Sequence, residues 1–239
     1  EVAVNNYMKE SKITIKFFRQ ENKGAGEARN LGIKESNGRY CFFISDDEYP
    51  SENWMQEHMD VHKRNNNVAV LGMIEWYHKI EINDFMKFIA PYGPQFNFNF
   101  KDPNNCGYNG FIIGNITLEK KWFEKDLFDS QIGGATVEDI ELGYRLEKRG
   151  LRIIFNPEAV VYHNHYQEET SFIKKQYSVG LYWRMLSRMH PEAFKIDLSG
   201  LLKLIIGRQY YLAFFNKRLY WRLKCGFFYY LGMFDGYKD

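Results

Sequence analysis

The chain has 239 residues, 45% of them hydrophobic and 26% charged, with a formal net charge of +2. This is globular composition, and so small a net charge excludes a global field that would gather nucleic acid. Cys41, Cys106 and Cys225 are too few and too scattered for a disulfide framework or a zinc knuckle, and they suit a reducing compartment.

Residues 1–10 read as the end of a helix, and the β-branched and aromatic run 13–18 as a strand. Residues 21–26 are turn-rich. Residues 27–35 read as a short helix with Ala28, Leu31 and Gly32 facing inward, closed by Asn37-Gly38 as a left-handed cap. A strand follows over 40–44. Strand, helix and strand at this spacing predict a parallel α/β unit. Residues 51–65 read as a helix capped by Ser51, 68–76 as a strand and 84–89 as a helix. Residues 91–108, rich in Pro, Gly, Asn and Phe, form a long loop of the kind that carries function. Residues 111–113 with Gly114-Asn115 read as a strand end, and 119–124 as the start of a helix. Residues 130–136 form a Gly-containing loop, and 137–149 a helix closed by Gly150. Two short strands at 151–155 and 159–162 flank Pro157, and a helix capped by Thr170 runs over 170–189. No stretch of about 18 uninterrupted apolar residues occurs that could span a bilayer.

Two acidic clusters stand out. Ser45-Asp46-Asp47-Glu48 ends the apolar strand 40–44 and precedes Pro50, while Glu138-Asp139-x-Glu141 opens a helix. Carboxylates at the end of a buried strand need a compensating cation. Neighbouring side chains on an extended segment point opposite ways, so one of Asp46 and Asp47 can face a ligand while the other braces the loop. Glu141 and Arg145, four residues apart, can pair on one helix face. His163 ends a strand, where a neutral imidazole could complete a metal shell.

Taken in order, Asn22-x-Gly24-x-Gly26-x-Ala28-Arg29-Asn30-x-Gly32, Gly38-x-Tyr40 and Asp46-Asp47 ahead of Pro50 resemble the nucleotide-sugar half of the inverting family-2 glycosyltransferases, which have the GT-A fold. Gly114-Asn115-Ile116-Thr117-Leu118 and Phe128-Asp129 resemble that family's acceptor-side strand and the Phe-Asp that follows it. Gly134-x-x-x-Glu138-Asp139-x-Glu141-Leu142-Gly143-x-Arg145-Leu146, with Pro157-x-Ala159 and Tyr162-His163, resembles its catalytic half. The likeness runs over about residues 20–191. Gly24-Ala25-Gly26 lacks the third glycine of a dinucleotide fingerprint and is read as a helix entry.

The resemblance implies an α/β, GT-A-like (Rossmann-like) mixed sheet flanked by helices over 1–195. Its implied activity is that of an inverting, metal-dependent hexosyltransferase using a nucleotide-diphosphate-sugar. It further implies Asp139 as catalytic base with Glu138 beside it, Arg29, Asp46 and Asp47 at the nucleotide sugar, and Asp47 with His163 at a divalent metal, Mg2+ or Mn2+. The acceptor would be a saccharide or lipid-linked, as in cell envelope polysaccharide synthesis. Two departures matter: Ser45 stands where the family's cluster begins with Asp, and the family's opening strand, helix and strand do not precede residue 13, so the sequence reads as a fragment. Ser45 also motivates the alternative of a non-catalytic descendant that binds a sugar nucleotide or a partner. A nucleotidyltransferase, which also uses metal-binding aspartates, would not need the Glu138-Asp139 helix.

Residues 196–239 carry seven Lys/Arg against three Asp/Glu and twelve aromatics, among them Tyr210, Tyr211, Phe214, Phe215, Trp221, Phe227 and Phe228, interleaved with Lys217, Arg218, Arg222 and Lys224. This basic, aromatic segment reads as a helical extension that packs on the catalytic body or lies on an anionic leaflet. The expected location is cytoplasmic, peripheral on the inner membrane face, with no nucleic-acid partner.

Overall fold

A computed structural model describes residues 2–132, 137–196 and 216–235. The expected loop around Gly134 falls partly, and Tyr210, Tyr211, Phe214 and Phe215 fall wholly, outside the described residues. Helices α1 (Val2–Glu10) and α2 (Ala25–Glu35) precede strands β1 (Tyr40–Ile44) and β2 (Glu48–Pro50). Then come α3 (Trp54–Arg64), β3 (Val68–Trp76), α4 (Asp84–Ile89), β4 (Asn115–Glu119), α5 (Glu138–Lys148), β5 (Arg152–His163), α6 (Glu169–Met189) and α7 (Lys217–Asp235).

The five strands form one mixed sheet in the order β1-β4-β3-β5-β2. β3 and β5 are parallel and the other pairs antiparallel. The central strand β3 is buried over its first seven residues, and its period-two alternation divides the core. Val68 and Val70 pack with Ile154 against Val61 of α3. Ala69, Leu71 and Ile153 join Leu142 and Leu146 of α5. A further cluster, Phe85, Ile89, Phe172, Ile173, Trp221 and Cys225, binds α4, α6 and α7 together.

Several expectations are corrected. Residues 13–18 form no strand: they lie outside the five-stranded sheet, and Ile13, Phe17 and Phe18 are exposed. Strand-forming composition yields a strand only beside a partner edge. The parallel unit expected around α2 is therefore absent, and β1 pairs antiparallel with β4. α2 faces inward through Gly26, Asn30 and Ile33 rather than Ala28 and Gly32, because Asn30 exchanges two 2.9 Å hydrogen bonds with the Phe128 backbone. It ends on extended Ser36, not on a left-handed Gly38. Neither Ser51 nor Thr170 is a cap: α3 starts after Asn53 and α6 after Glu168. Residues 111–113 are not strand, since β4 starts at Asn115. The two short strands around Pro157 are one strand, β5, interrupted by a bulge between the pairs Gly72–Asn156 and Met73–Val160, where a residue without an N–H is tolerated.

Candidate active site

Register brings the first acidic cluster to the end of β5. β2 pairs antiparallel with β5 so that Glu48 lies opposite His163, and the Asn164 N–H donates to the Asp47 carbonyl at 2.7 Å. The turn before β2 therefore sets Asp47 Oδ2 3.1 Å from His163 Nε2 and 3.8 Å from His165 Nδ1. His163 stacks between Trp76 and His165, with centroids 5.4 and 5.7 Å away. Its burial lowers its pKa against the pull of Asp47, which keeps the imidazole neutral.

Glu48 braces this turn from below. It is buried, and Oε2 accepts the Ser45 N–H at 2.7 Å. Burial is the main cause that raises its pKa to about 7, with the charges of Asp47 and Asp46 adding to it. Its carboxylate also fills the space beside Gly114: a Cβ there would lie 2.7 Å from Glu48 Oε1.

The second cluster opens α5. Asp139 Oδ2 accepts the Ile113 N–H at 3.4 Å, and Oδ1 its neighbour's N–H at 2.8 Å. Burial, then the charge of Glu138, raises the Asp139 pKa to about 7. Glu138 is buried and accepts from Arg29 Nη1 at 2.6 Å, while the Arg29 guanidinium lies over the Phe128 ring. Glu141 is structural, as its spacing from Arg145 suggests. It takes two 2.8 Å bonds from Arg145 and one of 2.9 Å from His190, fixing α5 to the 126–127 segment and to the end of α6.

All six sequence-predicted site residues, Arg29, Asp46, Asp47, Glu138, Asp139 and His163, line one cleft of about 960 Å3. The long loop supplies another wall, including Gln95, Asn97 and Lys101. Six carboxylates line this cleft (Asp102 and every carboxylate of the two clusters except Glu141) against three cations, Arg29, Lys101 and Lys175. A diphosphate entering it needs a compensating cation. Among the described residues no group of three His, Cys, Asp or Glu side chains forms a metal cage. Asp47 and His163 offer two donors, which suffices for Mg2+ or Mn2+ when diphosphate oxygens and water complete the shell. Gln95 Oε1 and His163 Nδ1, both on cleft residues, are buried without a hydrogen-bond partner among the described residues, as befits a site completed by a ligand. The residues present thus fit such an ion. Sequence reasoning missed His165 and the role of Glu48. The His163-x-His165 spacing, which places two side chains on one side of an extended segment, was the available signal for the first.

A mixed sheet carrying an acidic turn at a strand end, with a carboxylate at a helix N-terminus in the same cleft, is the architecture of the GT-A glycosyltransferases. The solved mannosyltransferase PcManGT from Pyrobaculum calidifontis, in complex with GDP-Man and Mn2+, superposes with a TM-score of 0.62 at 12% identity over 99% of this chain and 73% of its own. GalNAc-T7 with UDP, GalNAc and Mn2+ does so at 0.51 and 16%, over 84% of this chain and 45% of its own. The pattern of glycosyl transferase family 2 matches residues 1–125, and the chain belongs to that family. Chondroitin synthase from Escherichia coli is 26% identical over 186 residues, 64% of this chain, and the match spans 27% of that synthase's length.

Proposed function

We propose that the protein transfers a sugar from a nucleoside-diphosphate sugar to a hydroxyl of a saccharide or lipid-linked acceptor, with inversion at the anomeric carbon. The observation that carries this reading is one cleft lined both by the Asp47–His163 pair and by a carboxylate, Asp139, poised to titrate near neutrality. Asp139 takes the proton of the acceptor hydroxyl as its oxygen attacks the anomeric carbon. The bond from that carbon to the diphosphate breaks, its electron pair leaves on the phosphate oxygen, and a single displacement inverts the centre. Asp47 and His163 would hold a divalent cation, Mg2+ or Mn2+, which when bound would supply charge compensation for the diphosphate. Arg29, one of whose N–H groups is taken by Glu138, offers its remaining donors to the nucleotide, and Asp46 lines the same cleft. Glu138 raises the basicity of Asp139 through its charge.

Ligand titration and product analysis test this. Asp139→Asn abolishes transfer while nucleotide binding persists; surviving turnover would show that another group is the base. Asp47→Ala removes the metal-dependent part of nucleotide affinity; equal affinity with and without metal in the unaltered chain would remove the ion from the reading. Release of a nucleoside diphosphate rather than pyrophosphate separates this reaction from nucleotidyl transfer.

Contact with a membrane surface is a second reading, favoured by one observation. α7 exposes Tyr220, Phe227, Leu231 and Phe234, a spacing that keeps them along one helix stripe. No helix among the described residues is long and apolar enough to cross a membrane.

A further inference from the structure

A second cavity of about 1030 Å3 opens between α4, the 90–97 segment, α6 and α7. It adjoins the candidate active-site cleft: Gly93, Pro94, Asn97, Gln176, Val179 and Trp183 line both. The two differ in sign. Six carboxylates line the cleft, whereas the trough has none and carries Lys87, Arg218 and Arg222. Arg218 and Arg222 stand four residues apart on α7 and so share a face. All three cations are exposed, and among the described residues none has an ion-pair partner. Their helix neighbours Lys217 and Lys224 are engaged, by Asp84 at 3.9 Å and by Glu169 at 2.7 Å. Phe88, Tyr92, Trp183 and Tyr229 supply flat apolar faces among the cations. Unpaired cations beside aromatic faces suit a chain of sugar rings bearing negative charge, with rings on the aromatic faces and anions on the guanidinium groups.

We infer that this trough binds the acceptor, and that the acceptor is an anionic saccharide chain whose growing end passes between Asn97 and Gln176 toward Asp139. The inference rests on the glycosyltransferase reading for its direction and names the substrate class of that same site. The charge is a carboxylate, as in a uronic acid, or a phosphodiester that links one sugar ring to the next.

Equilibrium binding to the intact chain distinguishes these. The probes are an oligogalacturonate, its methyl ester, a phosphodiester-linked oligosaccharide and vesicles containing phosphatidylglycerol. One of the two anionic oligomers binds, the neutral ester binds at least about tenfold more weakly, and the preference fades in high salt. Arg218→Gln combined with Arg222→Gln lowers oligomer affinity by about tenfold. Both side chains are exposed, so the fold survives, which a matching thermal unfolding curve checks. Whichever oligomer binds identifies the anion.

Equal binding of anionic and neutral oligomers overturns the inference, as does oligomer affinity indifferent to the two substitutions. Arg218- and Arg222-dependent binding of the vesicles alone also overturns it and makes the surface a membrane contact. Binding of UDP and GDP with Mn2+ to the unaltered chain is measured alongside. Its absence sinks the glycosyltransferase reading, while loss of the oligomer preference with nucleotide binding intact sinks only the trough assignment.

Discussion

Burial and the neighbouring Glu138 raise the Asp139 pKa from 3.8 to about 7, and this has opposite consequences for catalysis and stability. A base works only when ionised, so kcat/KM should climb with pH through a limb near 7 and level off above it. The same shift means the folded state holds a proton that the unfolded chain would release. The stability this carboxyl contributes is therefore complete below about pH 4 and is lost as pH rises through about 7. Asp139→Asn keeps an acceptor for the Ile113 N–H but carries no charge to desolvate. Thermal unfolding should show the variant gaining on the unaltered chain between pH 5 and pH 8, by on the order of 2 kcal/mol, while transfer falls by at least about 100-fold. A variant that loses activity with no pH-dependent gain would place the carboxylate in a better-solvated setting than the structure gives it.

At the scale of elements, the Gly114-Asn115 pair explains how β4, β3, β5 and α3 are held in register beneath the cleft. Asn115 is fully buried. Its Nδ2 donates to the Met73 and Ala159 carbonyls at 2.8 and 2.7 Å, and its Oδ1 accepts from Trp54 Nε1 at 2.7 Å and lies 2.9 Å from His58 Nε2. With Oδ1 as acceptor, His58 Nε2 carries the proton, its Nδ1 accepts the Thr117 hydroxyl, and Thr117 accepts from His62 Nε2. Burial lowers the His58 pKa to about 4 and keeps it in that neutral form. Asn115 fits because Gly72 at the bulge has no Cβ; one would lie 2.3 Å from Nδ2 and 2.1 Å from the Ala159 carbonyl. Asn115→Ala strands several buried groups and should cost on the order of 3–5 kcal/mol in denaturant unfolding. Gly72→Ala strikes the same slot, so the double variant should lose less than the sum of the two, whereas strict additivity would mean the slot is not shared. None of this could be read from the chain. Trp54, His58 and His62 make the inner stripe of α3, and histidines at helical spacing give no apolar signal to a pattern reader. By contrast β3, α4 and α5 were legible because their faces are apolar or their acidic starts distinctive. The strand expected at 13–18 failed for the converse reason, since pairing is a property of neighbours and not of Ile13 or Phe17.

Across the whole molecule, α7 joins the sheet-bearing body through backbone contact with α6. A Cβ at Gly180 would lie 1.8 Å from the Tyr229 carbonyl oxygen, and one at Gly232 2.0 Å from that of Tyr177. The two helices approach as closely as glycine alone permits, and polar ties fix their ends. Tyr177 Oη donates to Asp235 at 2.7 Å, and Glu169 accepts from Trp221 Nε1 at 2.9 Å and from Lys224. The aromatic, basic composition of the chain's last part made a C-terminal helix legible, but not these glycines, which look like helix breakers in sequence. Propensity alone would make Gly232→Ala stabilising by about 1 kcal/mol. Overpacking against a backbone oxygen works the other way by about 1–3 kcal/mol, and the contact should win. Hydrogen exchange on this variant should show the amides of 217–235 losing protection while those of β3 keep theirs. Binding of an anionic oligosaccharide should weaken with the trough wall, and Mn2+-dependent nucleotide binding should hold within about twofold, since no α7 residue lines the cleft. Loss of protection spreading equally into β3 would instead make α7 part of one cooperative unit with the sheet, with the acceptor wall and the donor cleft stabilised together rather than by separable contacts.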